Sequence, residues 1–159
     1  MNLFCFGFGY CAEYLSVRLI KQGFQISATC RTNEKAAMLK AAGIRPVLLS
    51  SEKLSAKELG TADHVLLSVP PEQDGRDPVL NFASAALGEL QDQFKWVGYL
   101  STTGVYGDHK GAWIDEDTPI GALSERGQRR VSAEAQWAAT GLPMHYFRLA
   151  GIYGPGRNT

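Results

Sequence analysis

The feature that most constrains the fold of this chain is a glycine-rich break near its start. An apolar run at 2–6 leads into Gly7-Phe8-Gly9-Tyr10-Cys11-Ala12, which has the spacing G-x-G-x-x-A, and a helical pattern follows. The first glycine permits a tight turn, the second lets the backbone approach a pyrophosphate, and the small third residue lets the helix pack on the strand. Unpaired N–H groups at the helix start attract the anion. The pattern predicts a dinucleotide site that includes Gly7, Phe8, Gly9, Tyr10 and Cys11.

The remainder of the chain alternates short apolar or β-branched runs with longer segments of helical period. This alternation is typical of βαβ units around a parallel sheet, so we predict an α/β fold. The six predicted strands lie at about 2–6, 24–30, 45–49, 62–69, 96–100 and 144–149. Further helices are predicted near 33–42, 56–59, 79–91 and 124–141. Between the fifth strand and the last helix, residues 101–123 form a long irregular stretch, and a loop of that length usually lines a site.

Composition excludes several classes of function. The chain has 159 residues, 45% hydrophobic and 20% charged, with 16 basic and 16 acidic side chains and a formal net charge of zero. This balance predicts neither a nucleic-acid nor a membrane partner, and the length suggests one domain. The absence of a long apolar stretch or a signal-peptide pattern predicts a cytoplasmic location. Cys5, Cys11 and Cys30 lack metal-ligand spacing and are interpreted as reduced packing residues, with no metal site. A reactive thiol at the helix start remains the alternative for Cys11.

Three further stretches carry a family resemblance beyond the glycine turn. They are Tyr99-Leu100-Ser101-Thr102-Thr103-Gly104-Val105-Tyr106-Gly107, Glu116-Asp117-Thr118-Pro119 and Arg148-Leu149-Ala150-Gly151-Ile152-Tyr153-Gly154-Pro155-Gly156. With them the chain resembles extended-type short-chain dehydrogenases/reductases of the NAD-dependent epimerase/dehydratase group, and more narrowly the atypical YeeZ-like members. The resemblance implies a Rossmann-type doubly wound parallel sheet of about six strands, with helices on both faces and the cofactor across the carboxyl ends of the strands. Family members continue into a substrate-binding lobe. Residues 1–159 are therefore expected to be one NAD(P)-binding domain, with the lobe absent.

The resemblance also implies catalytic positions. Thr102 matches the family's catalytic Ser/Thr, whose hydroxyl hydrogen-bonds the reacting oxygen of the substrate. In the long loop after the fifth strand, Tyr106 and His109 are further candidates, for proton transfer. The alternative for Thr102 is a hydroxyl that only satisfies backbone groups at the end of a strand.

The family's Tyr-x-x-x-Lys pair falls on Arg126 and Arg130, which is a departure from the pattern. A guanidinium stays protonated and cannot act as a general acid or base, so Arg126 cannot replace the tyrosine. Arg130 still supplies a positive charge to the cofactor ribose. Both arginines also fit a solvated charged stripe with Glu134, because the three follow at i, i+4 spacing.

The end of the second strand indicates which cofactor binds. An NAD site usually places an acidic residue there, whereas this chain has Arg31, whose guanidinium suits a 2′-phosphate. Thr32, Asn33 and Lys35 supply further donors beside it. We therefore predict NADP, with NAD as the alternative and an exposed surface role as the other reading of Arg31. The resemblance adds contacts to the cofactor at Ser68, Val69, Pro70, Ser101, Arg130 and Tyr153.

Two function classes remain open. The first is an NADP-dependent oxidoreductase or epimerase-like protein that acts on a small molecule, such as a sugar nucleotide. The second is a non-catalytic NAD(P)-binding sensor or interaction module that lacks the Tyr-x-x-x-Lys pair. A methyltransferase is disfavoured because such enzymes usually place an acidic residue where Arg31 stands. In the family the helices at about 79–91 and 125–140 often pair between subunits, so a homodimer is expected. The last strand, with Tyr146 and Phe147, is expected to form a sheet edge with exposed apolar surface.

Overall fold

A single six-stranded parallel sheet organises the chain. The computed structural model describes residues 1–49 and 53–157. The strands are β1 (Asn2–Phe6), β2 (Gln25–Cys30), β3 (Arg45–Leu48), β4 (His64–Leu67), β5 (Trp96–Thr102) and β6 (Met144–Leu149). Their order is β3-β2-β1-β4-β5-β6, and every pair of neighbours is parallel. The order reverses direction between β1 and β4, which makes this a doubly wound Rossmann-type sheet. The predicted fold class is confirmed.

Among the described residues, five α-helices connect the strands and cover both faces of the sheet. They are α1 (Tyr10–Lys21), α2 (Asn33–Ala41), α3 (Ala56–Leu59), α4 (Pro78–Glu89) and α5 (Glu125–Ala138). Three of them begin at side-chain caps: Thr32 accepts from the backbone N of Lys35, Asp77 from that of Val79, and Ser124 from that of Gly127. These caps satisfy backbone donors that have no partner within a helix, and so they define where each helix begins. No helix among the described residues is both long enough and apolar enough to cross a membrane.

The two faces of the sheet carry separate hydrophobic cores. On one face, Phe4, Phe6, Val97 and Tyr99 pack against α3, α4 and α5, and Trp137 of α5 is fully buried among them. On the other face, a second set packs against α1 and α2, and its members are Leu3, Cys5, Ile26, Ala28, Cys30 and Leu66. Cys5 and Cys30 are buried and unbridged, and burial raises the pKa of Cys5 to about 12. They pack as the sequence predicts.

Two strand boundaries differ from the prediction. The fourth strand was expected over 62–69, but β4 has only four residues, His64–Leu67. Its neighbour β1 ends at Phe6, opposite Leu67, and beyond this pair Ser68 donates to Phe6 O from its backbone N and from its Oγ, each at 3.0 Å. By contrast, β5 runs two residues beyond the predicted end because β6 pairs with it as far as Thr102. Pairing between strands therefore decides both boundaries.

The face of the sheet that holds α1 and α2 is open over β5 and β6. Among the described residues no helix covers this region, and an apolar cavity of about 700 Å³ lies there. We call it the open sheet face and define it by Leu19, Phe24, Trp96, His145 and Phe147. Phe147 is 42% exposed, and β6 is the last strand of the sheet. The expected edge with exposed apolar surface is present.

Candidate cofactor site

Two cavities lie at the carboxyl ends of the strands and meet at the glycine turn. The smaller, of about 300 Å³, is bordered by the ends of β1, β2 and β4. The larger, of about 730 Å³, is bordered by the ends of β5 and β6 and the start of α5. Gly9 and Ser68 line both. A dinucleotide consists of two nucleotides joined by a pyrophosphate, so two cavities joined at a helix N-terminus match its shape and charge.

The two glycines of the turn, Gly7 and Gly9, differ in their backbone conformation and in the space around them. Gly7 has φ +78°, its N donates to Thr29 Oγ1 at 2.8 Å, and an added Cβ would lie 2.9 Å from Ser68 Oγ. Gly9 caps α1 with φ −98° and has no atom within 4 Å of an added Cβ. Gly7 is therefore required by the fold, whereas Gly9 faces open space in front of the first N–H groups of α1.

Positive charge borders the smaller cavity. Arg31 follows the last residue of β2, and Lys35 stands over the Phe8 ring with its Nζ 5.5 Å from the centroid. The start of α2 lies beside them, where Thr32 Oγ1 accepts from Lys35 N at 3.2 Å. Glu34 in the same turn is exposed, and hydrogen bonds from its own backbone and from Thr32 hold the pKa of its carboxyl below the usual value. The two cations and the helix N-terminus contribute more positive charge than the Glu34 carboxylate contributes negative charge, so the surroundings of this cavity are positive.

The end of β5 and the start of α5 lie next to each other in the wall of the larger cavity. Thr102 Oγ1 accepts from Gly104 N at 3.2 Å, so the hydroxyl hydrogen remains available to a ligand. At Gly127 an added Cβ would lie 2.6 Å from Gly104 O, which shows how closely α5 approaches this turn. Ser124 lines the cavity beside it. Thr102 therefore lies in a fixed turn next to the first residues of α5.

Arg130 is held rigidly in the wall of the larger cavity. Its Nη1 donates to Tyr99 Oη at 3.0 Å and to Leu100 O at 3.1 Å, and its guanidinium carbon lies 5.5 Å from the centroid of the Tyr99 ring. Burial raises the pKa of Tyr99 to about 12, although the Arg130 charge opposes that rise. Arg130 is thus a half-buried cation whose position depends on β5.

A buried ion pair lies behind the larger cavity. Glu134 of α5 and Arg148 of β6 pair at 2.9 Å, between Oε2 and Nη2. Ser101 donates to Glu134 Oε1, and Arg148 Nη1 donates to Tyr106 Oη at 2.9 Å. The hydrogen bonds and the charge of Glu134 raise the pKa of Arg148. Consequently the hydroxyls of Ser101 and Tyr106 both face this pair, and Tyr106 is only 6% exposed.

Most of the predicted site residues come together at these cavities. Those that line one or both are Gly7, Phe8, Gly9, Tyr10, Cys11, Arg31, Ser68, Val69, Pro70, Ser101, Thr102 and Arg130. Thr32, Tyr106 and Tyr153 line neither cavity, and Tyr153 is 75% exposed. The roles assigned to all these residues remain predictions.

The structure adds two residues that sequence reasoning missed. Thr29 fixes the glycine turn through its hydroxyl, and its only sequence signal is its place near the end of a strand. Arg157 lies over the Tyr10 ring, 5.6 Å from the centroid, and Tyr10 and Tyr14 each donate to Pro155 O at 3.3 Å. The segment after β6 therefore packs on the start of α1. Within 1–49 and 53–157, no three His, Cys, Asp or Glu side chains cluster closely enough to hold a metal ion.

The curated proteins that match the chain are YeeZ proteins. YeeZ of Escherichia coli (strain K12) is 29% identical over 168 residues, an alignment that covers 96% of this chain and 59% of YeeZ. The chain is a YeeZ homologue. No protein-family model matches it. The structure of a functionally unknown conserved protein from Silicibacter pomeroyi DSS is 48% identical, with a TM-score of 0.88 over 98% of this chain and 54% of that chain.

Two further structures extend the relationship to the epimerase/dehydratase fold. A putative NAD-dependent epimerase/dehydratase from Methylobacillus flagellatus is 26% identical, with a TM-score of 0.75 over 98% of this chain and 56% of that chain. UDP-glucuronic acid 4-epimerase from Bacillus cereus, in complex with NAD, is 18% identical, with a TM-score of 0.72 over 97% of this chain and 57% of that chain. The predicted resemblance is confirmed. The chain spans little more than half the length of these relatives.

Proposed function

We propose that this chain is the cofactor-binding part of an NADP-dependent oxidoreductase or epimerase-like protein. The observation that carries the proposal is the pair of cavities joined at Gly9, with Arg31 in the smaller one. The fold shared with the Bacillus cereus epimerase, whose structure contains NAD, supports a nicotinamide dinucleotide. When bound, such a cofactor supplies hydride transfer, and the protein supplies binding, orientation and proton handling.

The residues present suit the parts of this cofactor. The first turn of α1, beside Gly9, offers backbone N–H groups and dipole to a pyrophosphate. The smaller cavity would hold the adenosine half against Phe8, Val69 and Pro70, and the larger cavity would hold the nicotinamide half. Arg130 would direct its remaining N–H donors towards the ribose.

Arg31 and Lys35 support NADP over NAD. A 2′-phosphate accepts charge-assisted hydrogen bonds from guanidinium and ammonium groups, and the start of α2 adds to the attraction. One such contact contributes about 1.5–3 kcal/mol, which corresponds to roughly a 10- to 100-fold preference. NAD at the same site is the alternative that a titration separates.

Thr102 is the proposed catalytic residue of the larger cavity. Its hydroxyl accepts from Gly104 N and keeps its hydrogen for the reacting oxygen of a substrate. Tyr106 is the second candidate for proton transfer, and its hydroxyl already accepts from Arg148. The substrate proposed is a small molecule, with a sugar nucleotide as the model because the Bacillus cereus relative is named for one.

One observation favours a non-catalytic alternative. Tyr106 lies outside both cavities, and the positions of the family's catalytic tyrosine and lysine hold Arg126 and Arg130. A dinucleotide sensor requires the cleft that binds the cofactor, but it does not require a proton-transfer group. Oxidation of NADPH by the longer protein, measured with a panel of carbonyl substrates, separates the two: turnover supports the enzyme, and tight binding without turnover supports the sensor.

The homodimer expected from the sequence is proposed to form through α4 and α5. Exposed small residues, Ala85 and Gly88 on α4 and Ala135 and Ala138 on α5, permit close helix packing between copies. The cytoplasmic location stays a prediction from sequence.

The proposal is tested by calorimetric titration of the chain with NADPH, NADP, NADH and NAD. We expect NADPH to bind best, and Arg31→Ala to weaken NADPH roughly tenfold or more while leaving NADH nearly unchanged. Arg18→Ala is the matched control because Arg18 is exposed on α1 and lines neither cavity.

Two results would contradict the proposal in different ways. Equal weakening of NADPH and NADH by Arg31→Ala would mean that Arg31 does not contact the 2′-phosphate. No binding of any of the four nucleotides would mean that the cleft of this chain does not hold a dinucleotide.

A further inference from the structure

The larger cavity has an unusual distribution of charge. Within residues 1–49 and 53–157, the charged residues that line it are all arginines, Arg126, Arg130 and Arg157, and no carboxylate lines it. A neighbouring cavity of about 230 Å³ is lined by Pro70, Pro71, Arg126, Arg129 and Arg130. Arg126 and Arg130 therefore form the boundary between two cavities, on the side where α5 begins.

These guanidinium groups differ in what they already contact. Arg130 is held by Tyr99 and Leu100, and Arg129 reaches Glu125 at 3.4 Å between Nη2 and Oε2. Arg157 lies over Tyr10, beside the glycine turn. Arg126 is exposed, and within the part of the chain that the structure describes its side chain makes no hydrogen bond or ion pair. Its guanidinium is therefore available to a ligand.

The clustering is unfavourable without an anion. Arg126 stands three residues from Arg129 and four from Arg130, and like charges at these spacings destabilise a helix. Glu125 pairs with Arg129 and so reduces one of these repulsions, whereas Glu134 pairs with Arg148 and does not offset the repulsion between Arg126 and Arg130. An anion bound at Arg126 would relieve this repulsion, and the N-terminus of α5 would add to the attraction.

The cofactor does not account for this charge. Its pyrophosphate is proposed at Gly9 and the start of α1, where Tyr10 and Arg157 lie. Arg126 instead stands at the start of α5, beside the turn that holds Thr102, because Gly127 packs against Gly104 O. The anion that suits Arg126 therefore belongs to a second ligand, whose reacting oxygen would reach Thr102.

We propose that Arg126 binds an anionic group of the substrate, so that the substrate is a small carbonyl or hydroxyl compound that bears a carboxylate or phosphate near its reacting carbon. The inference rests on the proposed function. Both anions accept two parallel hydrogen bonds from a guanidinium, which gives orientation as well as affinity. Arginine at the position of the family's tyrosine then serves to position the substrate.

The test uses two anion probes, inorganic phosphate and malonate, titrated into the NADPH-saturated chain and followed by the backbone amide NMR signals. We expect saturable shifts at Thr103, Gly104 and Gly127, with Arg126→Gln weakening the binding about tenfold and Arg126→Lys less. Arg18→Gln is the control and leaves the binding unchanged. A response to phosphate alone indicates a phosphorylated substrate, and a response to malonate alone indicates a carboxylate.

The proposal is overturned if Arg126→Gln leaves the dissociation constants of both probes unchanged, or if the shifts occur only at Tyr10 and Cys11. Failure of the cofactor proposal remains distinguishable, because the same titration is run without NADPH. If NADPH does not bind but the probes still shift Gly104 and Gly127 in an Arg126-dependent way, the anion site stands and the cofactor assignment falls.

Discussion

The two glycines of the opening motif have different physical reasons to be glycine. Gly7 adopts φ +78°, which side chains rarely tolerate, and its surroundings leave an added Cβ only 2.9 Å from Ser68 Oγ and 3.0 Å from Val69 Cγ2. Gly9 has an ordinary φ of −98° and open space in front of it. The fold itself therefore requires glycine at position 7, whereas at position 9 the proposed approach of the cofactor is the reason for glycine.

Alanine substitutions at these positions are expected to separate folding from binding. Gly7→Ala should lower the free energy of unfolding by about 1–3 kcal/mol, because it combines a strained φ with close contacts to β4's end. Gly9→Ala should leave the free energy of unfolding within about 1 kcal/mol and weaken NADPH binding, because its methyl group enters the space of the pyrophosphate. Urea unfolding and calorimetry measure the two effects. The interpretation fails if Gly9→Ala destabilises the chain more than Gly7→Ala does.

At the scale of elements, one ion pair joins α5 to β6. Glu134 and Arg148 have side-chain exposures of 7% and 20%, and their hydrogen bonds extend to Ser101 of β5 and to Tyr106 in the loop after it. Tyr146 Oη also donates to Glu134 O at 3.1 Å. The pair therefore fixes the edge strand and the loop against α5, directly behind Thr102.

Removal of both partners of this ion pair should cost less than the sum of the two single removals. We expect Glu134→Gln or Arg148→Met to lower the free energy of unfolding by about 3 kcal/mol, because each leaves a charged group half-buried without its partner. The double variant Glu134→Gln with Arg148→Met should lose less than the sum of the single losses, since no unpaired charge remains. A double-mutant cycle from urea unfolding curves measures this coupling. Strictly additive losses would show that the pair does not act as a unit.

The sequence predicts elements well where a local signal marks both ends. The predicted bounds of β1, α3 and β6 coincide with those observed, because glycine, proline or capping residues flank these segments. It predicts β4 too long and β5 too short, since those ends depend on how far a neighbouring strand extends. The residues of the candidate site show the same difference between local signals and contacts with distant segments. Arg31 is predicted from its place after a strand, whereas Thr29 and Arg157 make contacts between segments distant in sequence.

At the scale of the whole molecule, the sheet is covered unequally. Helices α3, α4 and α5 cover one face, whereas α1 and α2 leave the open sheet face over β5 and β6. On that face Trp96 stacks near His145, with ring centroids 6.0 Å apart, and Phe147 lies 5.9 Å from Trp96. An exposed aromatic cluster beside an edge strand favours association between copies.

Association of the 159-residue chain is expected to involve two surfaces that substitutions can separate. Sedimentation velocity at increasing protein concentration should detect a dimer through α4 and α5 and larger species through the open sheet face. Phe147→Ser should shift the larger species to about fivefold higher protein concentration and keep the dimer, because burial of the half-exposed ring contributes about 1 kcal/mol per contact. Ala85→Glu should instead remove the dimer, since it places an unpaired charge in the helix interface.

Both variants should bind NADPH with the affinity of the parent chain, because neither residue lines the two cavities that meet at Gly9. This binding also serves as the control for folding. If Phe147→Ser forms the larger species at the same protein concentrations as the parent chain, the open sheet face does not mediate association. A dimer that persists in Ala85→Glu would show that the interface does not involve α4. The cleft at the carboxyl ends of the strands would then be the next surface to test, by measuring how NADPH changes the association.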